Sequence, residues 1–445
     1  MMKKTHSWLK PVTLLLAIFV LLVSAGCEAI LSIDFPWEEH AGVPTKTPVP
    51  ALSTPTATPI PTKVNVEATA TQTPRQTRMV IWLPPEFDPE ADNEAARLLK
   101  ARLENFARKN KIELDVRLKN PIGNSNLIES LIATNGAAPD NLPAVVLLRR
   151  QDLDAAYARG LVYNNDELAS MAGAIDWYSF ARETVSYDGV SYGLGLFGDP
   201  MVLVYKAQSE LIPGNDWFSM HDNFGYFGFA ADDSQGRFLL LLYLAAGGET
   251  RDAQNHLVLQ EEPLAQALQV LKDLVKTKHL NHTVLEMQTQ SAVWQAYKNW
   301  QLDTAAMPAS IALKALVSEE TGYPVLAFNQ PDFTLTESWA LALTHPDESQ
   351  QALGLLLMQD LTNTDFLAKW SEALGYVPAK SASLGAWTNV ELKPALEKTM
   401  NIALLYPRDE TINSLGPILR NATLMILRDN ASVEDAVQAA LEGLK

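Results

Sequence analysis

"PAVVLLRRQDLDAAYARG", residues 143–160, reads as two elements joined without a gap. Pro143 to Leu148 is a short apolar run of strand length. "QDLDAAYARG" then reads as a helix, closed at Gly160 because glycine enters the left-handed C-terminal conformation without strain. Toward the N-terminus, "MVIWL" at 79–83 is a second buried strand. Asp88 and Pro89 are expected to give the N-cap and first-turn proline of a helix. Ala95, Leu98, Leu99, Leu103 and Phe106 share one face of that helix. "IELDVRL" at 112–118 alternates, with Ile112, Leu114, Val116 and Leu118 on one side. Strand, helix, strand, helix, strand is the order of an α/β layer with a mostly parallel sheet.

The pattern repeats downstream. "PMVLVY" at 200–205 is a strand, and "EEPLAQALQVLKDLVKTK" an amphipathic helix with Leu264, Leu268, Leu271 and Val275 in register. "SAVWQAYKNW" is a helix, "DTAAM" and "YPVLAF" are short strands, and "SWALAL" opens another strand before helices around 347–361 and 364–374. Ser432 with Asp435 makes a capping box for the last helix.

The bulk numbers limit the partners. A chain of 445 residues with 47% hydrophobic content can bury a large core and exceeds the length at which one core keeps growing. Its formal charge of −17 argues against nucleic acid or anionic lipid as a partner, since phosphate binding needs clustered Lys and Arg. The single cysteine, Cys27, follows Lys3, Lys4 and Lys10, an apolar run from Val12 to Val23, and the small residues Ser24, Ala25 and Gly26. That order is a secretory leader, too short in its apolar part to span a bilayer. Small residues abutting a cysteine resemble a bacterial lipobox, which implies lipidation of Cys27 and attachment to the membrane through that anchor alone. Residues 43–77 hold seven Pro and ten Thr, the composition of an extended tether with a reach of about 100 Å.

Enzymatic chemistry finds little support. "GVSYG" at 189–193 satisfies G-x-S-x-G, which would make Ser191 a hydrolase nucleophile only on a strained strand–turn–helix. Asp188-Gly189 reads instead as a hairpin turn, and the "LGLFGDP" that follows has no helical face. His279 and His282 stand three apart without a thiol or carboxylate at zinc spacing. Phosphate-loop and dinucleotide fingerprints are missing. No catalytic residue, metal or cofactor is therefore expected.

"VIWL", "LPAVVLLRRQDLDAAYARGLVYN", "YDGVSYGLGLFGDPMVLVYKA", "ALQVLKDLV", "LDTAAM", "ESWALAL" and "FLAKWSEALGYVPA" follow one another from about Met79 to Leu444. In order and spacing they resemble the extracellular solute-binding proteins of ABC importers, the maltose-binding-protein-like group. The resemblance implies a two-lobe periplasmic-binding-protein-like (type II) fold with a hinge and a ligand cleft. It divides the chain into a leader (1–26), a lipidated tether (27–78), lobe I (79–197 and 329–383) and lobe II (198–328 and 384–445). The implied function is capture of a small solute, with sugar or oligosaccharide preferred, by a monomer that is exported and anchored at the membrane and delivers its cargo to ABC permease subunits.

Carried over by position, the ligand-binding candidates are Glu86, Phe87, Arg150, Gln151, Asp152, Asp199, Trp339, Tyr376 and Arg420. Carboxylates and guanidinium groups would hydrogen-bond sugar hydroxyls, and Trp and Tyr faces would stack on sugar rings. Trp82 reads as core. Pro143-Ala144, "PASIALKAL" and Gly416 stand where the family often carries other residues, which leaves the ligand class open. A ligand sensor without a transport role, and a secreted hydrolase using Ser191, are the alternatives.

Overall fold

Twelve strands are formed among the residues described by the computed structural model: 77–445 without 122, 124–125, 207–215, 223–224, 281, 318–325 and 329–331. In chain order they are β1 (Thr77–Leu83), β2 (Ile112–Leu118), β3 (Val145–Arg149), β4 (Ser186–Tyr187), β5 (Val190–Ser191) and β6 (Leu194–Lys206), followed by β7 (Phe227–Gly228), β8 (Thr304–Pro308), β9 (Leu326–Phe328), β10 (Thr334–Leu343), β11 (Val377–Pro378) and β12 (Ala403–Leu405). The leader, Cys27 and nearly all of the tether lie outside the described residues.

The main sheet runs β2-β1-β3-β10-β6-β8-β7. β1 pairs in parallel with β2 and β3, but β10 runs antiparallel to both β3 and β6, and β8 antiparallel to β6. The sheet is thus mixed rather than mostly parallel: β1 with β2 and β3, β7 with β8, and β10 with β12 are the parallel pairs. β6 joins its two halves. "PMVLVY" is only the second half of a 13-residue strand whose residues 194–200 pair with β10 and whose residues 201–206 pair with β8 and β9. One strand therefore passes from one set of neighbours to another at Pro200-Met201.

Helices flank each set. Asn93, not Asp88, caps the helix Glu94–Asn110, accepting from Ala96 N at 2.9 Å. Asp88 instead accepts from Glu90 N in the turn before it, so the stretch around Pro89 is a loop. Ala95, Leu99, Leu103 and Phe106 are buried as their spacing predicts. β2 is the sheet's edge, and its last apolar residue, Leu118, faces solvent. In the other set, Leu264, Leu268 and Leu271 of the helix Glu261–Lys276 are fully buried.

The C-terminal segment changes partners late. The helix Lys393–Ile402 packs on β6, and β12 pairs with β10. The helix Asp409–Leu427 then packs against the helices Val433–Gly443, Glu261–Lys276 and Arg237–Ala245.

Candidate functional site

At the point where β6 changes neighbours, a cleft of about 250 Å³ opens between Glu86, Arg149, Gln151, Asp199, Arg237, Pro308, Glu337, Ser338, Trp339, Tyr376 and Tyr406. Its place follows from the topology. β3 ends here, with its last residue Arg149 opposite Trp339 in the middle of β10, and β10 meets β6 with Glu337 opposite Asp199. Crevices at strand ends where connectivity changes are the usual ligand sites of open α/β sheets.

Five of the nine residues expected from the sequence line this cleft: Glu86, Gln151, Asp199, Trp339 and Tyr376. Gln151, with its amide turned to satisfy both ends, donates to Asp409 Oδ1 (3.2 Å) and accepts from Arg149 Nη2 (3.0 Å). Asp199 is already engaged. Its Oδ1 accepts from Ser310 N (2.8 Å) and its Oδ2 from Ser310 Oγ (2.6 Å). The carboxylate thereby holds the start of the helix Ala309–Val317, where a negative charge suits the helix dipole. Burial raises the Asp199 pKa despite these bonds.

The aromatic residues are placed differently from the expected stacking platform. Trp339 and Tyr376 are only 5% and 7% exposed. Phe87 meets Trp339 edge-on at 5.0 Å and lies parallel to Phe197 at 5.8 Å and Tyr376 at 6.2 Å. These rings are the packed floor of the cleft, and Phe87 belongs to the core. What Tyr376 offers is its edge: the hydroxyl donates to Glu86 Oε1 (2.7 Å) and accepts from Lys314 Nζ (3.0 Å).

The other candidates are held elsewhere. Arg150 donates to the backbone oxygen of Tyr406 in a neighbouring narrow crevice. Asp152 is buried and accepts from Arg149 Nε at 3.1 Å. Arg420 pairs with Asp232 and does not line the cleft. Trp82 is core, as expected.

Three side chains that the sequence did not single out carry the free polar capacity. Arg237 starts the helix Arg237–Ala245. Its guanidinium lies 3.8 Å from Asp233 and 3.7 Å from Glu337, too far for hydrogen bonds, and its Nε is buried without a partner. Glu337 is the only charged residue of β10 and keeps 36% of its side chain open to the cleft. The Tyr406 hydroxyl, just past β12, is buried and also lacks a partner. The cleft walls shield Glu337 from bulk water, which raises its pKa; Arg237 pulls it down and Asp199 pushes it further up.

That shift has a consequence for stability. A carboxyl whose folded pKa lies above its unfolded value, about 4.3 for Glu, stabilises the native state at low pH. The contribution fades as pH rises through the raised value. Glu337→Gln is therefore expected to melt with the wild type in acid and above it at neutral pH, in a thermal series without ligand. A difference in melting temperature that does not change with pH would contradict the shift.

Ser191 sits in the hairpin β4–β5, opposite Ser186, with Asp188 and Gly189 at φ 51° and 77°. It is not on a strand–turn–helix, so the nucleophile elbow is not formed. His279 Nδ1 lies 2.7 Å from the Gly225 oxygen. Among the described residues no group of three His, Cys, Asp or Glu is placed to hold a metal, and no helix is long and apolar enough to cross a membrane.

Comparison with known proteins agrees with this architecture. A cyclo/maltodextrin-binding protein complexed with maltotetraose superposes with a TM-score of 0.66 at 16% identity, over 83% of this chain and 97% of that one. The sugar-binding protein MalE of Xanthomonas citri gives 0.64 at 15%, over 83% and 96%. The Staphylococcus aureus extracellular solute-binding protein in complex with maltose gives 0.63 at 14%, over 83% and 97%. At such identities the likeness establishes the fold, which is the two-lobe binding fold with a cleft at the crossover. No curated protein matches the sequence. Residues 101–396, however, match the family model described as bacterial extracellular solute-binding protein. With two-thirds of its length matched, this chain belongs to the bacterial extracellular solute-binding protein family.

Proposed function

We propose that the protein captures a sugar in the cleft by closure of its two lobes and delivers it to the permease subunits of an ABC importer. The observation that carries this reading is the convergence of Arg237, Glu337 and Tyr406, donors and an acceptor without hydrogen-bond partners on the cleft wall. Buried polar groups are normally paired, and a ligand rich in hydroxyls supplies what these lack. The maltose and maltotetraose complexes among the structural neighbours support the choice of sugar.

In this reading lobe I comprises 79–200 and 329–405, and lobe II comprises 201–328 and 406–445. The last boundary is drawn some twenty residues beyond the one expected at 383–384, because β12 still pairs with β10. Closure then moves the helices Arg237–Ala245 and Ala309–Val317 relative to β3 and β10, with β6 near Pro200-Met201 and the residues after β12 absorbing the change.

A thermal-shift screen over sugars, polyols and peptides tests the proposal. At least one sugar is expected to raise the melting temperature, since a ligand of the native state alone stabilises it. Cells lacking the protein are expected to lose uptake of that same sugar. Stabilisation by peptides alone would overturn the sugar assignment.

A further inference from the structure

Building on the sugar-binding reading, we propose that the cleft selects a single neutral ring or an open-chain polyol of like size, gripped by Arg237, Glu337 and Tyr406 rather than stacked on an aromatic face. Three independent features lead there.

The first is length. One end of the cleft is closed by the chain Lys314–Tyr376–Glu86, joined by hydrogen bonds of 3.0 and 2.7 Å. Beyond this barrier lies a separate cavity of about 520 Å³ that shares only its Glu86 and Tyr376 walls. Gly375 also packs closely on the helix Ala309–Val317 in this state of the cleft, where a Cβ would meet Lys314 N at 2.7 Å. The other end narrows to a crevice of about 20 Å³ between Arg150, Tyr406, Arg408 and Asp409. The space between, about 250 Å³, is below the roughly 300–1,000 Å³ of drug-sized ligand sites.

The second is charge. Arg149 is bonded to Asp152, Glu86 to Tyr376 and Asp199 to Ser310. The charged groups left without a hydrogen bond on the cleft wall are Arg237 and Glu337, one of each sign. A charged solute would pair with one and leave the other enclosed beside a like charge, which is strongly unfavourable. A neutral diol accepts from one and donates to the other.

The third is the state of the aromatic rings. Phe87 packs on Trp339, Tyr376, Phe197 and Trp370, Lys314 Nζ sits 4.1 Å over the Tyr376 ring, and Trp339 and Tyr376 are only 5% and 7% exposed, which leaves little ring face for a sugar. Affinity has to come from hydrogen bonds, and those made to charged groups are the strong ones.

Isothermal titration of the full folded body with a size and charge series tests the inference. The series comprises neutral monosaccharides, hexitols, maltose, maltotriose, maltotetraose, a uronic acid and an amino sugar. At least one neutral monosaccharide or hexitol is expected to bind, with maltotriose and maltotetraose weaker by about tenfold or more. Glu337→Gln and Arg237→Lys are each expected to weaken that ligand by about tenfold or more, and Tyr406→Phe by about fivefold, as loss of such hydrogen bonds implies. Tyr406→Phe keeps the ring, so it reads the hydroxyl even if a charge variant folds poorly. Tighter binding of maltotetraose than of any monosaccharide, preference for a charged sugar, or unchanged affinity in all three variants would overturn the inference and leave sugar capture standing. Silence across the whole series would overturn both.

Discussion

Trp370→Ala is expected to destabilise the protein by about 3–5 kcal/mol, the usual loss when a buried Trp or Phe becomes Ala. Trp370 is 1% exposed on the helix Thr364–Leu374. Its ring packs edge-on against Phe197 at 5.1 Å and Phe87 at 6.1 Å, and lies near-parallel to Phe366 at 5.5 Å. Those partners come from β6, from the turn after β1 and from its own helix, so the cavity left by alanine opens where three elements meet. Phe87 cannot collapse into it without moving the cleft floor, because it also carries Trp339. Denaturant titration reads the effect directly. A loss below about 1 kcal/mol would mean that the ring cluster is not the packed floor described above.

Gly416→Val is expected to reduce stability by about 1–3 kcal/mol and to weaken solute binding in the same variant. Gly416 lies inside the helix Asp409–Leu427, and a Cβ built on it would come within 2.7–2.8 Å of the backbone of Gln235. The next residue, Gly236, has φ 56° and would in turn press a Cβ to 2.9 Å from the Gly416 oxygen. Helix and loop therefore touch backbone to backbone, and Arg237 follows directly. Any side chain at 416 pushes away the turn that aims the Arg237 guanidinium. Denaturation and titration of this variant are expected to move together. Full affinity in a destabilised protein would show that Arg237 is not held by this contact.

Much of this architecture is legible in the residues. Short apolar runs marked β1, β3 and β8, and the spacing of Leu264, Leu268 and Leu271 marked a buried helix face, because burial is periodic in regular elements. Helix starts were less legible. Asp88-Pro89 has the composition of a start, yet Asn93 five residues later holds the cap, and Ala95 and Leu99 are buried on the helix that it opens. The mixed sheet was hidden for a similar reason: nothing local in "LGLFGDPMVLVYK" says that its two halves pair with different strands.

The cleft was legible in position more than in role. Glu86, Gln151, Asp199, Trp339 and Tyr376 do line it, but Asp199 anchors a helix and the two aromatics face the core. Role depends on partners distant in sequence, such as Ser310 for Asp199. The sequence does carry one signal of role. Glu337 is a lone carboxylate inside the apolar strand "TLTESWALAL", and a charge rarely stands there without a task. Arg237, directly before the apolar run of its helix, carries the same signal in weaker form.

A crystal structure with the tightest ligand from the size series tests the central claim most directly. The account predicts one ring-sized solute in the cleft, its hydroxyls within hydrogen-bonding distance of Arg237, Glu337 and Tyr406, and no ring stacked on Trp339 or Tyr376. A ligand seated anywhere else, or lying flat on either aromatic face, would contradict it.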